Sequence, residues 1–178
     1  MTAATGPVDE VGELDSDFSA ADATPLPWAT VRGVIETAEI YWVSTVRPDG
    51  RPHVTPLIAV VVDGAPWICT GPAERKARNL ATNPRCILTT GCNELGSGID
   101  VVWEGEAVAV TEPDQLERAA EAFNAKYPAP FKFSVRDGVF ASIGGPEALV
   151  FRIEPVKVLA FGRGDAYSQT RWRFGRPA

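Results

Sequence analysis

The densest chemistry in the chain lies in Thr70-Gly71-Pro72-Ala73-Glu74-Arg75-Lys76-Ala77-Arg78-Asn79-Leu80. A strand-like run stops at Gly71-Pro72, and Arg75, Lys76, Arg78 and Asn79 follow at once. Proline is favoured at the first helical position, where its missing N–H would have no partner anyway, so Pro72 predicts a helix start. The cations then fall in the first two turns, where unpaired N–H groups and the macrodipole already make the potential positive. Such a concentration suits an anion, and phosphate is the usual one. A second reading stands beside it. At about 100° per residue, Ala73, Ala77, Leu80 and Ala81 share one side and Arg75, Lys76, Arg78 and Asn79 the other, which is also the pattern of any solvated surface helix.

Four other groups carry reactive or binding side chains. His53 is the only histidine, and a binding role suits it better than a general base. Pro56 removes a ladder donor from a strand-like run, which predicts an edge, a bulge or a ligand lying alongside. Glu104 and Glu106 share a strand face about 6.6 Å apart, a spacing open to acid/base work but more simply read as a solvated face. Trp172, Arg173 and Phe174 could close over a flat ring by stacking and cation–π contact, or form a terminal strand or subunit contact. No residue is singled out as catalytic.

The totals narrow the field. The chain has 178 residues, 45% hydrophobic and 22% charged, as in a globular domain. A net charge of −6 disfavours nucleic acid as the main partner, because that affinity comes from neutralising many phosphates. No apolar run approaches the roughly 20 residues that span a bilayer. Three cysteines, Cys69, Cys86 and Cys92, and a single histidine leave no plausible metal-ligand set. The N-terminus lacks the basic start and apolar core of a signal peptide, and the protein is read as cytoplasmic. Residues 1–24, with Asp9, Glu10, Glu13, Asp15, Asp17 and Asp22 among small residues, are expected to be a mobile acidic leader, with ordering against the body or a partner subunit through Leu14 and Phe18 as the alternative. Residues 25–178 form one domain.

The elements that must position these groups follow from periodicity and punctuation. A helix is expected from about Thr30 to Ala38. Ile40–Val46 and Pro52–Val62 flank Arg47-Pro48-Asp49-Gly50, a tight-turn signal, and make a hairpin. Trp67–Thr70 leads into the basic helix, which Asn83-Pro84 ends. Arg85–Thr90 and Ile99–Thr111 read as strands, Pro113–Tyr127 as the clearest helix, and Ala148–Ile153 and Val156–Phe161 as two last strands parted by Glu154-Pro155; residues 131–147 give no clear pattern. The fold class is mainly β with a few helices, an antiparallel sheet or barrel of six to seven strands, since the first connections are too short for parallel crossovers.

In this order the parts resemble the pyridoxamine-phosphate-oxidase-like flavin proteins, the split β-barrel family that includes flavin and deazaflavin oxidoreductases. The resemblance rests on Arg47-Pro48-Asp49-Gly50-Arg51-Pro52-His53-Val54-Thr55-Pro56-Leu57, on Thr70 with Arg75 to Leu80, on Asn83-Pro84-Arg85 and on Trp103-Glu104-Gly105-Glu106-Ala107. It covers roughly residues 28–163. It implies an FMN-binding split barrel, usually a homodimer with the cofactor at the subunit interface. His53, Val54, Thr55 and Pro56 would run along the ring, while Thr70, Arg75 and Lys76, with Arg78 and Asn79 nearby, would hold the phosphate. Independently of the resemblance, the residues Trp172, Arg173 and Phe174 are a candidate lid from the partner subunit, with a terminal strand or a dimer contact as the equal alternatives.

Thr55 stands where the vitamin-oxidising members carry arginine, and Ala73-Glu74 where a serine usually precedes the Arg-Lys pair, which argues against pyridoxamine phosphate as substrate. The expected function is an oxidoreductase using coenzyme F420, or alternatively FMN, to pass hydride to a small planar unsaturated or quinone-like substrate. The competing function is a flavin, deazaflavin or haem carrier without turnover.

Overall fold

The computed structural model describes residues 11–142 and 145–175. It contains β1 (Glu13–Leu14), a 3-10 turn (Ser16–Phe18), α1 (Trp28–Thr37), β2 (Tyr41–Val46), β3 (Pro52–Leu57), β4 (Ala59–Val62), β5 (Ala65–Thr70) and α2 (Arg75–Thr82). Then come β6 (Arg85–Thr90), β7 (Gly98–Val110), α3 (Pro113–Lys126), β8 (Phe133–Arg136), β9 (Val139–Ser142), β10 (Leu149–Arg163) and β11 (Ser168–Arg173). All strand pairs are antiparallel.

The barrel runs β3-β2-β6-β7-β10-β5-β4, and β4 follows β3 through Ile58 alone, so the two ends of this path meet in the chain. This is the split barrel expected. β11 and β1 extend the same sheet along the second half of β10, while β8 and β9 form a separate hairpin within the segment that gave no clear sequence pattern.

β10 replaces the two last strands expected. It crosses Glu154-Pro155 without a break because a register shift between Pro155 and Lys157 absorbs the proline. Opposite lies Gly105 of β7, where any Cβ would collide with the Glu154 carbonyl and Ile153.

Two cores result. Val31 and Ile35 of α1 join Tyr41, Val43, Ile68, Leu88, Val101, Trp103, Ile153 and Trp172 in one. Leu116, Ala119, Ala120 and Phe123 of α3 join Val60, Trp67 and Phe140 in the other. β5 serves both, with neighbours Trp67 and Ile68 facing opposite ways, which is why it reads as an unbroken apolar run.

The described part of the leader lies against the body of its own chain, the alternative that the sequence left open. From Val11 onward it lies along β11: Asp15 N–H donates to the Gln169 carbonyl (2.8 Å), Ala20 N–H to the Tyr167 carbonyl (2.8 Å), and Arg171 pairs with Glu13 (2.7 Å). Backbone pairing thus anchors a segment too polar to bury itself. Leu14 is half-buried and Phe18 exposed, so the strand ladder outweighs the two apolar side chains. Asp9 and Glu10 lie outside the described residues. No helix among the described residues is long and apolar enough to cross a membrane.

The junction between α1, α3 and the barrel is pinned by Lys126. Its ammonium donates to the Tyr41 hydroxyl (2.9 Å) and the Ala59 carbonyl (3.1 Å) and sits 5.0 Å from the Tyr41 ring centroid. Burial pushes its pKa down to about 8 from 10.5. Between these values the unfolded chain binds the extra proton, so this group makes stability rise with pH across that window. Relative to Lys126→Met, the wild-type protein should therefore gain stability between pH 8 and 10.5, measured by urea unfolding at several pH values; a constant difference would contradict this account.

Candidate functional site

Thr70 ends β5, and the chain turns through Gly71-Pro72-Ala73-Glu74 before α2. Glu74 N–H donates to the Gly71 carbonyl (3.0 Å) and Gly71 N–H donates to Glu74 Oε1 (2.8 Å). Pro72 therefore sits second in a four-residue turn, where its fixed φ is equally at home, and the helix starts at Arg75 instead.

The face of α2 also departs from expectation. Lys76, Ala77, Asn79 and Leu80 are buried, Lys76 at 6% exposure and Asn79 at 0%. Arg75, Arg78 and Ala81 are exposed. The buried residues span an arc of about 160° at 100° per residue, and they carry a cation and an amide into the protein alongside the apolar Ala77 and Leu80. Polar side chains buried on a packed face need partners.

Asn79 Nδ2 donates to Thr45 Oγ1 (2.9 Å), and Thr45, opposite His53 across the β2–β3 hairpin, lies 3.5 Å from His53 Nδ1. The His53 pKa is lowered by burial and by the charges of Arg47, Lys76 and Arg75, so the ring is neutral at neutral pH. His53 thus offers hydrogen bonds rather than a charge. The Lys76 ammonium forms an ion pair with the Glu74 carboxylate. The Thr70 hydroxyl is buried beside that carboxylate and helps keep it ionised, but no protein atom meets full hydrogen-bond geometry with it.

Among the described residues five buried side-chain polar atoms lack a well-formed hydrogen bond; one is Trp103 Nε1 in the core, and four belong to α2, the end of β5 and the β2–β3 hairpin: Arg47 Nε, Thr55 Oγ1, Thr70 Oγ1 and Asn79 Oδ1. Such atoms are costly unless something else pairs with them. They fit an anionic, hydrogen-bonding ligand lying between α2 and the edge strand β3.

The structure divides the ring-strand residues between two faces. His53 and Thr55 share the half-buried inner face of β3, His53 beside the Thr45–Asn79 link to α2 and Thr55 opposite Val43, while Val54 and Pro56 lie on the opposite face, across from Ser44 and Trp42. Strand alternation makes this unavoidable. Among the described residues β3 pairs only with β2, so it is an edge, one of the three outcomes that Pro56 allowed.

On the outer face a groove of about 500 Å³ opens beside β2, floored by Ser44, Val46, Ile87, Glu104, Glu106 and Val156. Lys157 binds Glu104 (2.8 Å) and Arg85 approaches Glu106 (3.9 Å), so the two carboxylates are neutralised strand-face residues rather than a free acid/base pair. Trp42, Val54, Val108 and Val156 leave this face apolar and exposed. Among the described residues no group of three or more His, Cys, Asp or Glu side chains could hold a metal ion.

The tail expectation is corrected. Trp172 lies on β11 at 2% exposure, 5.3 Å from the Trp28 ring, and Phe174 packs 5.7 Å from Trp28 and Trp103. Only Arg173 is exposed. Hydrophobic burial claims these rings for the core of their own subunit, and the terminal-strand alternative is the one observed.

Three residues that sequence reasoning passed over join the site: Thr45, Arg47 and Glu74. Counting back across the Pro48-Asp49-Gly50 turn places Thr45 opposite His53 and Arg47 at the turn. The role of Glu74 has no signal in the sequence beyond its place before the Arg-Lys pair.

The family model described as pyridoxamine 5'-phosphate oxidase matches residues 28–161, which takes in the hairpin, Thr70, α2 and the long strands. The chain belongs to that family. No curated protein matches it. Among solved structures it is similar to a haem-binding protein from Mycobacterium smegmatis, with a TM-score of 0.62 and 21% identity over 78% of this chain and 55% of that one. It is also similar to the conserved hypothetical protein Rv2991 from Mycobacterium tuberculosis, at TM-score 0.61 and 20% identity over 82% and 87%. A third is the FAD-binding protein from M. smegmatis, at 0.56 and 16% over 84% and 97%. At these identities the likenesses speak for the fold.

Replacing Trp172 by Ala should cost about 3–5 kcal/mol of stability, as for other buried aromatic truncations. Thermal or urea unfolding measures it; a loss near zero would return the residue to a surface role.

Proposed function

We propose that the protein is an oxidoreductase that binds a flavin-type cofactor, coenzyme F420 with FMN as the alternative, and serves a small planar unsaturated or quinone-like substrate. The observation that carries this reading is the buried Lys76 ammonium among four buried, unpartnered polar atoms beside a free strand edge. Membership of the pyridoxamine 5'-phosphate oxidase family supports it.

In this reading Lys76, backed by Thr70, takes the anionic end of the cofactor, and its charge-assisted hydrogen bond is of the stronger kind. Arg75 and Arg78, exposed on the same helix, meet a longer polyanionic tail, which favours the deazaflavin. His53 and Thr55 border the flat ring from one face of β3, and Thr45 with Asn79 holds the imidazole in place. When bound, the cofactor supplies the hydride, and the protein supplies orientation and exclusion of water.

Lys76 gives one test. Lys76→Ala should weaken cofactor affinity by about 1.5–3 kcal/mol, the scale of one charge-assisted hydrogen bond. Side-by-side titration of F420 and FMN against both proteins reads it, and equal binding by mutant and wild type would remove Lys76 from the site. Reduction of a quinone or nitro dye by loaded protein separates an enzyme from a carrier without turnover, the reading that the haem-binding neighbour's name favours.

The active unit proposed is a homodimer closed over the apolar outer face of Trp42, Val54 and Val156. Light scattering should give twice the chain mass of 19.1 kDa, and Val54→Asp should give a monomer; a wild-type monomer would exclude this arrangement.

A further inference from the structure

The seat that should receive an anion already has one. Oε1 of Glu74 accepts the Gly71 N–H (2.8 Å), Oε2 accepts from the Lys76 ammonium, and the Thr70 hydroxyl lies beside them. The two donors come from the turn and the first turn of α2, and the hydroxyl from the end of β5. They make an oxyanion cradle whichever oxyanion fills it. The side chain of Lys76 is 8% exposed and that of Glu74 51% exposed, so the carboxylate stands on the solvent side of the ammonium. An incoming anion meets like charge first and a neutralised cation behind it.

We propose that Glu74 is a built-in occupant of this anion seat and governs its selectivity: the carboxylate holds the place of a phosphate group, and a phosphate reaches Lys76 only by displacing it. The displaced side chain has a second resting place. Arg78 lies four residues on, its N–H already donates to the Glu74 carbonyl (3.2 Å), and its guanidinium forms no ion pair with the described residues. A Glu–Arg pair at this spacing is a favourable surface contact. Glu74 can therefore exchange Lys76 for Arg78 as a phosphate enters, with no change of backbone. The buried Thr70 hydroxyl, without a well-formed partner while the carboxylate is in place, is the group that a tetrahedral oxyanion would use and a planar carboxylate uses poorly. The site is thereby set against loose phosphate and toward ligands whose remaining contacts along β3 make up for the displacement.

The flavin part of the proposal rests on the cofactor reading given above; the phosphate part does not. Wild-type protein, Glu74→Gln, Glu74→Ser and Glu74→Ser with Lys76→Met are titrated with inorganic phosphate at constant ionic strength, by calorimetry and by thermal shift, with chloride as control. Both single variants should bind phosphate at least about tenfold more tightly than wild type, the scale of a charge-assisted contact regained, and the double variant should lose the gain. FMN affinity should rise in the same proportion, and riboflavin, which lacks the phosphate, should be unchanged. Equal phosphate binding by wild type and the folded variants, or no gain in either variant, overturns the proposal. A phosphate gain without binding of FMN, riboflavin or deazaflavin would uphold the seat and overturn the cofactor reading; flavin binding without the gain would do the reverse.

Discussion

The structure depends on β10 being shared. Along one side it pairs with β7 for nearly its whole length, and along the other it pairs first with β5 and then with β11. A strand that serves three neighbours cannot bend freely, so the sheet divides around it into two cores, and the proline within it is absorbed by a bulge opposite a glycine. Everything at the site follows from that frame. β5 is held on β10, so the turn after Thr70 and the start of α2 are placed against the inner face of β2 and β3.

Within this frame the second constraint is the burial of a charge. Taking an ammonium out of water costs several kcal/mol unless a partner and hydrogen bonds offset it. Lys76 meets that requirement through Glu74, while Asn79, one turn further on, ties α2 to the β2–β3 hairpin through Thr45. Of the five buried side-chain polar atoms without a hydrogen-bond partner among the described residues, those on Thr70 and Asn79 lie at the end of β5 and on α2 and those on Arg47 and Thr55 on or beside β3, while the fifth, Trp103 Nε1, belongs to the aromatic core. Local polar dissatisfaction of that kind is tolerated where a ligand completes the network, and it sets the α2 end apart from the outer groove, whose carboxylates are already neutralised.

The same physical rules separate the aromatic groups. Trp28, Trp103, Trp172 and Phe174 form one contact cluster because the leader, α1 and β11 converge over the barrel. Gly12 lies so close to Thr170 and Trp172 that no side chain fits there, so the leader itself closes this cluster. Rings of the terminal segment are thereby drawn inside.

By itself the sequence determined most of the local architecture. Alternation, turn residues and helix stops follow short-range sterics, so the β2–β3 hairpin, β6, β7, α3 and the end of α2 at Asn83-Pro84 were legible, and so was the family through the order of its motifs. The basic cluster was legible as chemistry but not as geometry. Which arc of α2 faces inward depends on where β2 lies, and only the folded sheet could bury Lys76 and Asn79 while leaving Arg75 and Arg78 in water. Pairing between residues far apart in the chain decided the rest: β1 with β11, β8 with β9, and β10 continuing through its proline. Such ladders rest on backbone groups that every residue possesses, and so they leave little trace in side-chain pattern. The occupation of the anion seat by Glu74 was decided at the same level, because its two donors, the Gly71 N–H and the Lys76 ammonium, meet the carboxylate only once the turn and α2 are assembled beside the end of β5.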